Sequence, residues 1–387
     1  METSDLRIAL FSGNYNMVRD GANQALNRLV GYLLSQGAAV RVFSPTVANP
    51  DFEAVGELFH LPSIAIPTRG EYRVPVRLGR RAERALAQFA PNIMHVSSPD
   101  FASRQAARWA REQGLPILAS VHTRFETYPR YYRLGFMEGP VENWLRKLYR
   151  RCDALVAPSE SMVDVLRGQN MHDDITIWSR GVDREMFNPG RRDNDWRRSL
   201  GIDDDELAVG FLGRLVMEKG LDVFADAVAE LEKRGVAHKV LVIGEGPARG
   251  WLEANVKGAK FAGFQAGADL GRAVASMDLL LNPSVTETFG NVTLEAMACG
   301  VPVVAARATG SDSLVVDGIT GHLIEPRDIA GYADAIAAYA GDPGLRALHG
   351  KAGEKRSLEY SWDRINQTVA DTYLRLIAAR AGAEAMA

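Results

Sequence analysis

Cysteine is nearly missing from this chain: Cys152 and Cys299 are the only two in 387 residues. Two thiols cannot build a disulfide framework, and these two lack metal-ligand spacing, so the chain reads as a protein of a reducing cytoplasm. Long apolar runs are missing as well. No stretch approaches the roughly 20 residues that cross a bilayer. Met1 to Asp5 is polar and runs straight into a strand, so neither a membrane span nor a secretory signal is expected. No internal repeat occurs, and the one biased segment is a small-residue tail. RNP, zinc-finger and helix-turn-helix signatures are absent, which counts against nucleic acid as a partner. Gly244-Glu245-Gly246-Pro247-Ala248-Arg249-Gly250 has the wrong spacing for a dinucleotide fingerprint, with Pro247 at the helix start, so no nicotinamide cofactor is expected. Asp203-Asp204-Asp205 invites a metal reading, but it precedes the strand Leu207 to Leu212 and suits a solvated turn better.

What is present is ordinary globular material, 47% hydrophobic and 24% charged. The length exceeds a single core and suggests two domains of roughly 150 to 200 residues. The formal net charge of -3 hides an asymmetry. Between Arg69 and Arg151 there are 16 Lys and Arg against 7 Asp and Glu, a surplus of nine positive charges, which leaves -12 for the remainder. Arg80, Arg81 and Arg84, then Arg104, Arg108 and Arg111, recur at near-helical spacing, as solvated helix faces do.

Apolar strands and amphipathic helices alternate along most of the chain. Strands are expected at Leu6 to Phe11, Ala39 to Phe43, Ile93 to Val96, Ile117 to Val121 and Ala154 to Ala157, and later at Leu207 to Leu212, Val240 to Ile243, Met277 to Leu281, Val301 to Ala305 and Gly321 to Ile324. Such alternation predicts parallel sheets covered by helices on both faces, an α/β protein. The polar stretch after Phe187-Asn188-Pro189-Gly190 is the best boundary, dividing residues 1–187 from 188–363.

The densest chemistry lies in Asn282 to Gly300, a strand end, a turn-rich loop and a helix. Small residues around Gly290 let a ligand approach the backbone, and the first amides of a helix suit an anion such as a diphosphate. Glu287 in the loop and Glu295 in the second helical turn flank that point, placed to accept hydrogen bonds from sugar and ribose hydroxyls. Singly, Glu287 reads as a solvated loop residue and Glu295 as a complement to the helix dipole. Together the features ask for a sugar nucleotide. Arg214 and Lys219 bracket another strand-to-helix loop, where cations could neutralise a departing diphosphate. His122 follows the strand Ile117 to Val121, at the edge where open α/β sheets bind ligands, although a lone histidine is more often structural. Gly13 and Gly21 lie in the loop after the first strand, where a turn glycine and a helix cap are the plain alternatives.

The string Glu287 to Glu295, with Thr288-Phe289-Gly290 between the acids and Ala296-Met297-Ala298-Cys299-Gly300-Val301-Pro302-Val303-Val304 around the helix end, resembles the retaining glycosyltransferases of family 4. Gly213-Arg214-Leu215-Val216-Met217-Glu218-Lys219-Gly220 resembles that family's donor-phosphate site. The run from Ser120 through Tyr128-Pro129-Arg130-Tyr131-Tyr132 to Arg151-Cys152-Asp153 is similar to its lipid-directed mannosyl- and sulfoquinovosyltransferase branch. The resemblance implies the GT-B fold, two doubly wound Rossmann-like domains facing a cleft. The first would face the acceptor, carry Gly21 near the donor phosphates and His122 near the transferred sugar, and receive a returning helix at about 364–387. The second would hold the donor through Gly244, Gly246 and Phe264 at the base, Arg214, Lys219, Thr288, Phe289 and Gly290 at the diphosphate, Glu287 at the sugar and Glu295 at the ribose.

The implied reaction is transfer of a hexose from a nucleoside diphosphate sugar to a hydroxyl with retained configuration, no cofactor and no metal. GDP-mannose as donor and a lipid or glycolipid acceptor fit the motif best, with the basic segment docking the enzyme peripherally on an anionic membrane surface. A UDP-sugar donor, an epimerase of the same fold, and a protein that merely binds anionic surfaces or nucleic acid are the competing expectations. No residue pattern specifies an oligomeric state.

Overall fold

A computed structural model describes residues 1–18, 20–66, 69–127 and 135–385. The aromatic run Tyr128-Pro129-Arg130-Tyr131-Tyr132, singled out above, lies outside the described residues. The chain divides into two compact units, Met1–Ser179 with Trp362–Ala387, and Arg180–Ser361. The break falls at Ser179/Arg180 instead of 187/188, because Val182 and Phe187 are buried in the core of the second unit.

Strands of the first unit are β1 (Arg7–Phe11), β2 (Ala39–Ser44), β3 (Glu57–His60), β4 (Ser63–Ile66), β5 (Arg69–Pro75), β6 (Ile93–Val96), β7 (Ile117–Ser120), β8 (Ala154–Ala157) and β9 (Ile175–Ile177). Seven of them form one parallel sheet in the order β3-β2-β1-β6-β7-β8-β9. The antiparallel pair β4-β5 stands apart from it. β1 reads Arg-Ile-Ala-Leu-Phe without alternation because both faces of a parallel sheet are covered. Leu10 pairs with Val42 on one side and His95 on the other, so the order reverses between β1 and β6. The last helix, Trp362–Ala385, packs on Gly21–Ser35: the Arg28 guanidinium lies 5.0 Å over the Trp362 ring, and Tyr32 hydrogen-bonds Gln367.

The second unit adds β10 (Ala208–Leu212), β11 (Lys239–Ile243), β12 (Lys260–Gly263), β13 (Leu279–Asn282), β14 (Val303–Ala306) and β15 (Gly321–Ile324). Their parallel order is β12-β11-β10-β13-β14-β15, reversing between β10 and β13. Val209, Val242 and Leu281 point to one core with the helices Leu221–Lys233 and Ile329–Gly341. Ala208, Leu241 and Leu280, their neighbours on the same strands, point to the other with Gly267–Ala275 and Asn291–Ala298. Both units are therefore doubly wound, and the crevice at each reversal, outside the carboxyl ends of the strands, is where such sheets bind ligands.

Candidate active site

In the second unit the loops after β10 and β13 meet at the reversal point. The first turns through Met217–Lys219 and ends at Gly220, whose φ of 75° suits glycine. A Cβ on Gly220 would lie 2.9 Å from the Pro283 carbonyl oxygen, so the two backbones pack closely. Thr286 Oγ1 donates to the Glu218 carbonyl at 3.2 Å, a second tie. Lys219 Nζ lies 2.6 Å from Glu287 Oε1, with the side chains 31% and 17% exposed. The structure thus joins two residues that the sequence assigns to different parts of a ligand. Arg214 lies exposed in the same loop as Lys219.

Gly290 adopts φ 95° and ψ 56° and starts the helix Asn291–Ala298 with no side chain capping it. Its first amides stay open to an anion. By contrast Asp20 caps the helix Gly21–Ser35, accepting from Asn23 N at 2.8 Å. Gly21 is therefore the first helical residue and not the cap, and a carboxylate already holds that helix end. Glu295 is half-buried and has no hydrogen-bond or ion-pair partner among the described residues. Burial of its carboxyl raises its pKa to about 8, and the negative charge of Glu287 adds to the rise.

Phe289 is 4% exposed, its ring edge-on to Tyr360 at 5.8 Å, so its side chain is core and only its backbone can face a ligand. Thr288 beside it is half-buried. Gly244 and Gly246 have a packing reason of their own. A Cβ on Gly244 would sit 2.0 Å from the Gly213 oxygen, and one on Gly246 2.3 Å from the Leu215 oxygen. The loop after β11 therefore lies on the Arg214 loop itself. Gly244 N donates to the Gly263 carbonyl at 2.9 Å, which brings Phe264, 67% exposed, beside the same loop.

Sequence reasoning passes over two supports of this site. Asn282, 5% exposed at the end of β13, donates to Thr293 Oγ1 at 3.1 Å and accepts from Ser284 N at 3.3 Å, fixing the loop to the helix it feeds. Gly310, with φ 94°, packs where a Cβ would stand 2.8 Å from the Phe289 carbonyl carbon. An Asn at a strand end before a turn was their one visible signal.

In the first unit, His122 follows β7 at its carboxyl end. Its Nε2 is 2.9 Å from Ser120 Oγ, and its ring meets Trp178 edge-on at 5.2 Å. At the reversal point, Gly13 faces the loop after β6: a Cβ there would be 3.3 Å from Ser98 Cβ and 3.7 Å from Asp100 Oδ2. Asp100, 7% exposed, caps the helix Phe101–Glu112 and accepts from Ser98 Oγ at 2.6 Å; burial raises its carboxyl to about 6. Among the described residues no three His, Cys, Asp or Glu side chains gather to hold a metal ion. Asp204 of the aspartate run instead pairs with Arg198 at 2.6 Å.

The family models match where this geometry lies: Glycosyltransferase Family 4 over residues 19–186, and Glycosyl transferases group 1 over residues 206–342. The sulfoquinovosyl transferase SQD2 of Arabidopsis thaliana is 30% identical over 350 residues, 88% of this chain and 68% of that protein. The chain belongs to glycosyltransferase family 4. A GDP-mannose-dependent alpha-mannosyltransferase of Corynebacterium glutamicum is 27% identical over 378 residues, covering 96% of this chain and 90% of the relative. The solved sucrose-phosphate synthase of Thermosynechococcus elongatus superposes with a TM-score of 0.77 at 22% identity, over 96% of this chain and 99% of the other. The fold is GT-B, and the protein is a glycosyltransferase that takes its sugar from a nucleotide sugar.

Proposed function

We propose that this family 4 glycosyltransferase moves mannose from GDP-mannose to a hydroxyl of a lipid or glycolipid at a membrane surface, with retention and without a metal ion. The carrying observation is the second unit's reversal point, where Lys219, Glu287, exposed Arg214 and an uncapped helix end come together. Its cations and amides suit the leaving diphosphate, the electrostatic role that dominates many active sites. In this reading Glu287 orients Lys219 and accepts from the donor sugar, while Glu295 accepts from ribose hydroxyls. Phe264 and the backbone at Gly244 and Gly246 flank the base. The anomeric carbon to phosphate bond breaks as the acceptor oxygen bonds that carbon from the same face, and the leaving phosphate oxygen takes the acceptor proton. His122 holds the acceptor side.

The mannosyl donor draws support from the alpha-mannosyltransferase named above, the lipid acceptor from the resemblance of the run Ser120 to Asp153 to a lipid-directed branch, and peripheral docking from the basic helices of the first unit. No helix among the described residues is long and apolar enough to cross a membrane. The likeness to a sulfoquinovosyl transferase supports a second reading, in which the transferred sugar is not mannose; a UDP-sugar is then the alternative donor. Thermal unfolding against a panel of sugar nucleotides separates them, since a ligand at 100 times its dissociation constant adds about 2.7 kcal/mol. Stabilisation by UDP-sugars and not by GDP-mannose overturns the donor. Complete loss of transfer in EDTA, restored by magnesium or manganese, overturns metal independence.

A further inference from the structure

Outside the donor site, a buried cluster of aromatic and polar side chains lies beneath His122. Trp178 is 1% exposed, and its backbone N–H donates to the Ala157 carbonyl at 2.7 Å, extending the pairing of β8 and β9 by one residue. Its ring meets His122 edge-on at 5.2 Å on one flank and His95 edge-on at 6.2 Å on another. The indole N–H donates to Asn366 Oδ1 at 3.4 Å, and Asn366 Nδ2 donates to the Arg28 carbonyl at 3.4 Å. His95, fully buried on β6, has Nδ1 2.5 Å from the Tyr373 hydroxyl. Asn366 and Tyr373 are two turns apart on the helix Trp362–Ala385, so one face of that helix holds both histidines' aromatic neighbours.

Nothing in local folding demands this arrangement. A strand end needs an apolar residue here, not an indole with its N–H satisfied by a helix that arrives 188 residues later in sequence. In sequence, Trp178 and Asn366 lie close to the two points where the chain passes between its units, Ser179/Arg180 and Ser361/Trp362. His122 itself lies in the connection leaving β7, outside any helix or strand. The ring against it limits its side-chain freedom, as does the contact with Ser120.

We infer that Trp178 is a positioning residue of the reaction: its indole, anchored by Asn366 on the returning helix, fixes the orientation of the His122 imidazole. This rests on the reading of His122 as the acceptor-side residue. Trp178→Phe keeps a ring but loses the anchoring N–H; Trp178→Leu loses the edge contact too. Both leave the donor loops of the second unit untouched.

Transfer from GDP-mannose to a lipid acceptor gives kcat and KM, and nucleotide affinity by calorimetry gives the control. The His122 imidazole proton resonance, assigned with His122→Asn, is followed through a pH titration. The expected outcome is a kcat lower by about tenfold in Trp178→Phe and about a hundredfold in Trp178→Leu, the range for misplacing a catalytic group. Nucleotide affinity should stay within about twofold, and the His122 titration midpoint should move in both variants. A folded Trp178→Phe with normal kcat and an unmoved His122 resonance overturns the inference, whether or not Trp178→Leu folds. Normal turnover of His122→Asn alongside an impaired Trp178→Phe overturns instead the role of His122, and with it the reason for positioning it.

Discussion

Lys219 and Glu287 hold each other at 2.6 Å across the two loops that close the reversal point of the second sheet. A carboxylate so close to the cation proposed to meet the diphosphate has a second consequence, for Glu295. With Glu287 bound to Lys219, its charge is partly neutralised, so a second carboxyl can lie buried near it. The ion pair also restrains a flexible lysine at the reversal point of the sheet. It is the arrangement expected of a preorganised site, with the cation set before the ligand arrives.

Lys219→Ala and Arg214→Ala should each lower kcat by about 10² to 10³ with the fold intact, the cost of removing one donor to developing negative charge. Glu287→Gln should lower it as well, since the lysine loses its charged anchor. Because Lys219 and Glu287 act as a pair, the double variant should lose less than the product of the single losses. Steady-state kinetics with matched thermal unfolding curves check this; independent losses would separate the two roles.

Glu295 makes a prediction about pH. Its carboxyl titrates near 8 in the folded protein against an ordinary 4.5. The folded state keeps the proton that the unfolded chain gives up, so this group's stabilising contribution is full below about 4.5 and is lost as pH rises toward 8. Glu295→Gln lacks that loss. The difference in Tm, variant minus parent, should therefore climb between pH 5 and pH 8 in the absence of nucleotide. A flat difference would mean that Glu295 is ionised in the free enzyme.

How much of this could be read from residue order depends on what holds each element. β6 and β8 are buried apolar runs, and their limits agree with the sequence reading because nothing but burial defines them. β3, β4 and β5 escaped it. β3, Glu-Leu-Phe-His, is a half-exposed edge strand without an apolar run, and β4 is a short stretch outside the main sheet with Ile64 60% exposed, so burial does not define either. In the site, the glycines and glutamates were visible as a string. The ion pair was not, since it joins residues 68 positions apart. Nor was the packing of Gly244 and Gly246 against the backbone at Gly213 and Leu215, a reason for glycine that stands beside the ligand reading.

Those two glycines carry the third prediction. Gly246→Ala should destabilise the protein by about 1 to 3 kcal/mol, the usual cost of forcing an atom into a packed site, even with no nucleotide present. Gly244→Ala should do the same, with added strain from its φ of 134°. Urea unfolding of the free enzyme is the measurement. Unchanged stability with weakened nucleotide binding would restore the ligand as the only reason for them.

The basic surface of the first unit gives the last prediction. Arg77, Arg80 and Arg84 are exposed at or along the helix Gly79–Phe89 and have no charged or hydrogen-bonding partner among the described residues. Arg81 differs, since its guanidinium lies 5.6 Å over the Phe59 ring. Leu78 N donates to Gln105 Oε1 at 3.0 Å, which brings that helix start beside Phe101, 57% exposed, and Arg104. Unpaired arginines next to an exposed aromatic ring suit an anionic headgroup layer, at about 1 kcal/mol for each cation near the surface. Replacing Arg77, Arg80 and Arg84 together by glutamate, with Arg81 kept to preserve the packing on Phe59, should abolish co-sedimentation with phosphatidylserine vesicles at low salt. All three side chains are exposed, and an acidic residue at position 80, in the first helical turn, agrees with the helix dipole, so the variant should fold. The unaltered protein should bind at low salt and release at high salt, and the variant should retain its affinity for nucleotide. Equal recovery of both proteins at every salt concentration would mean that these arginines form an ordinary solvated face and that the acceptor reaches the enzyme by another route.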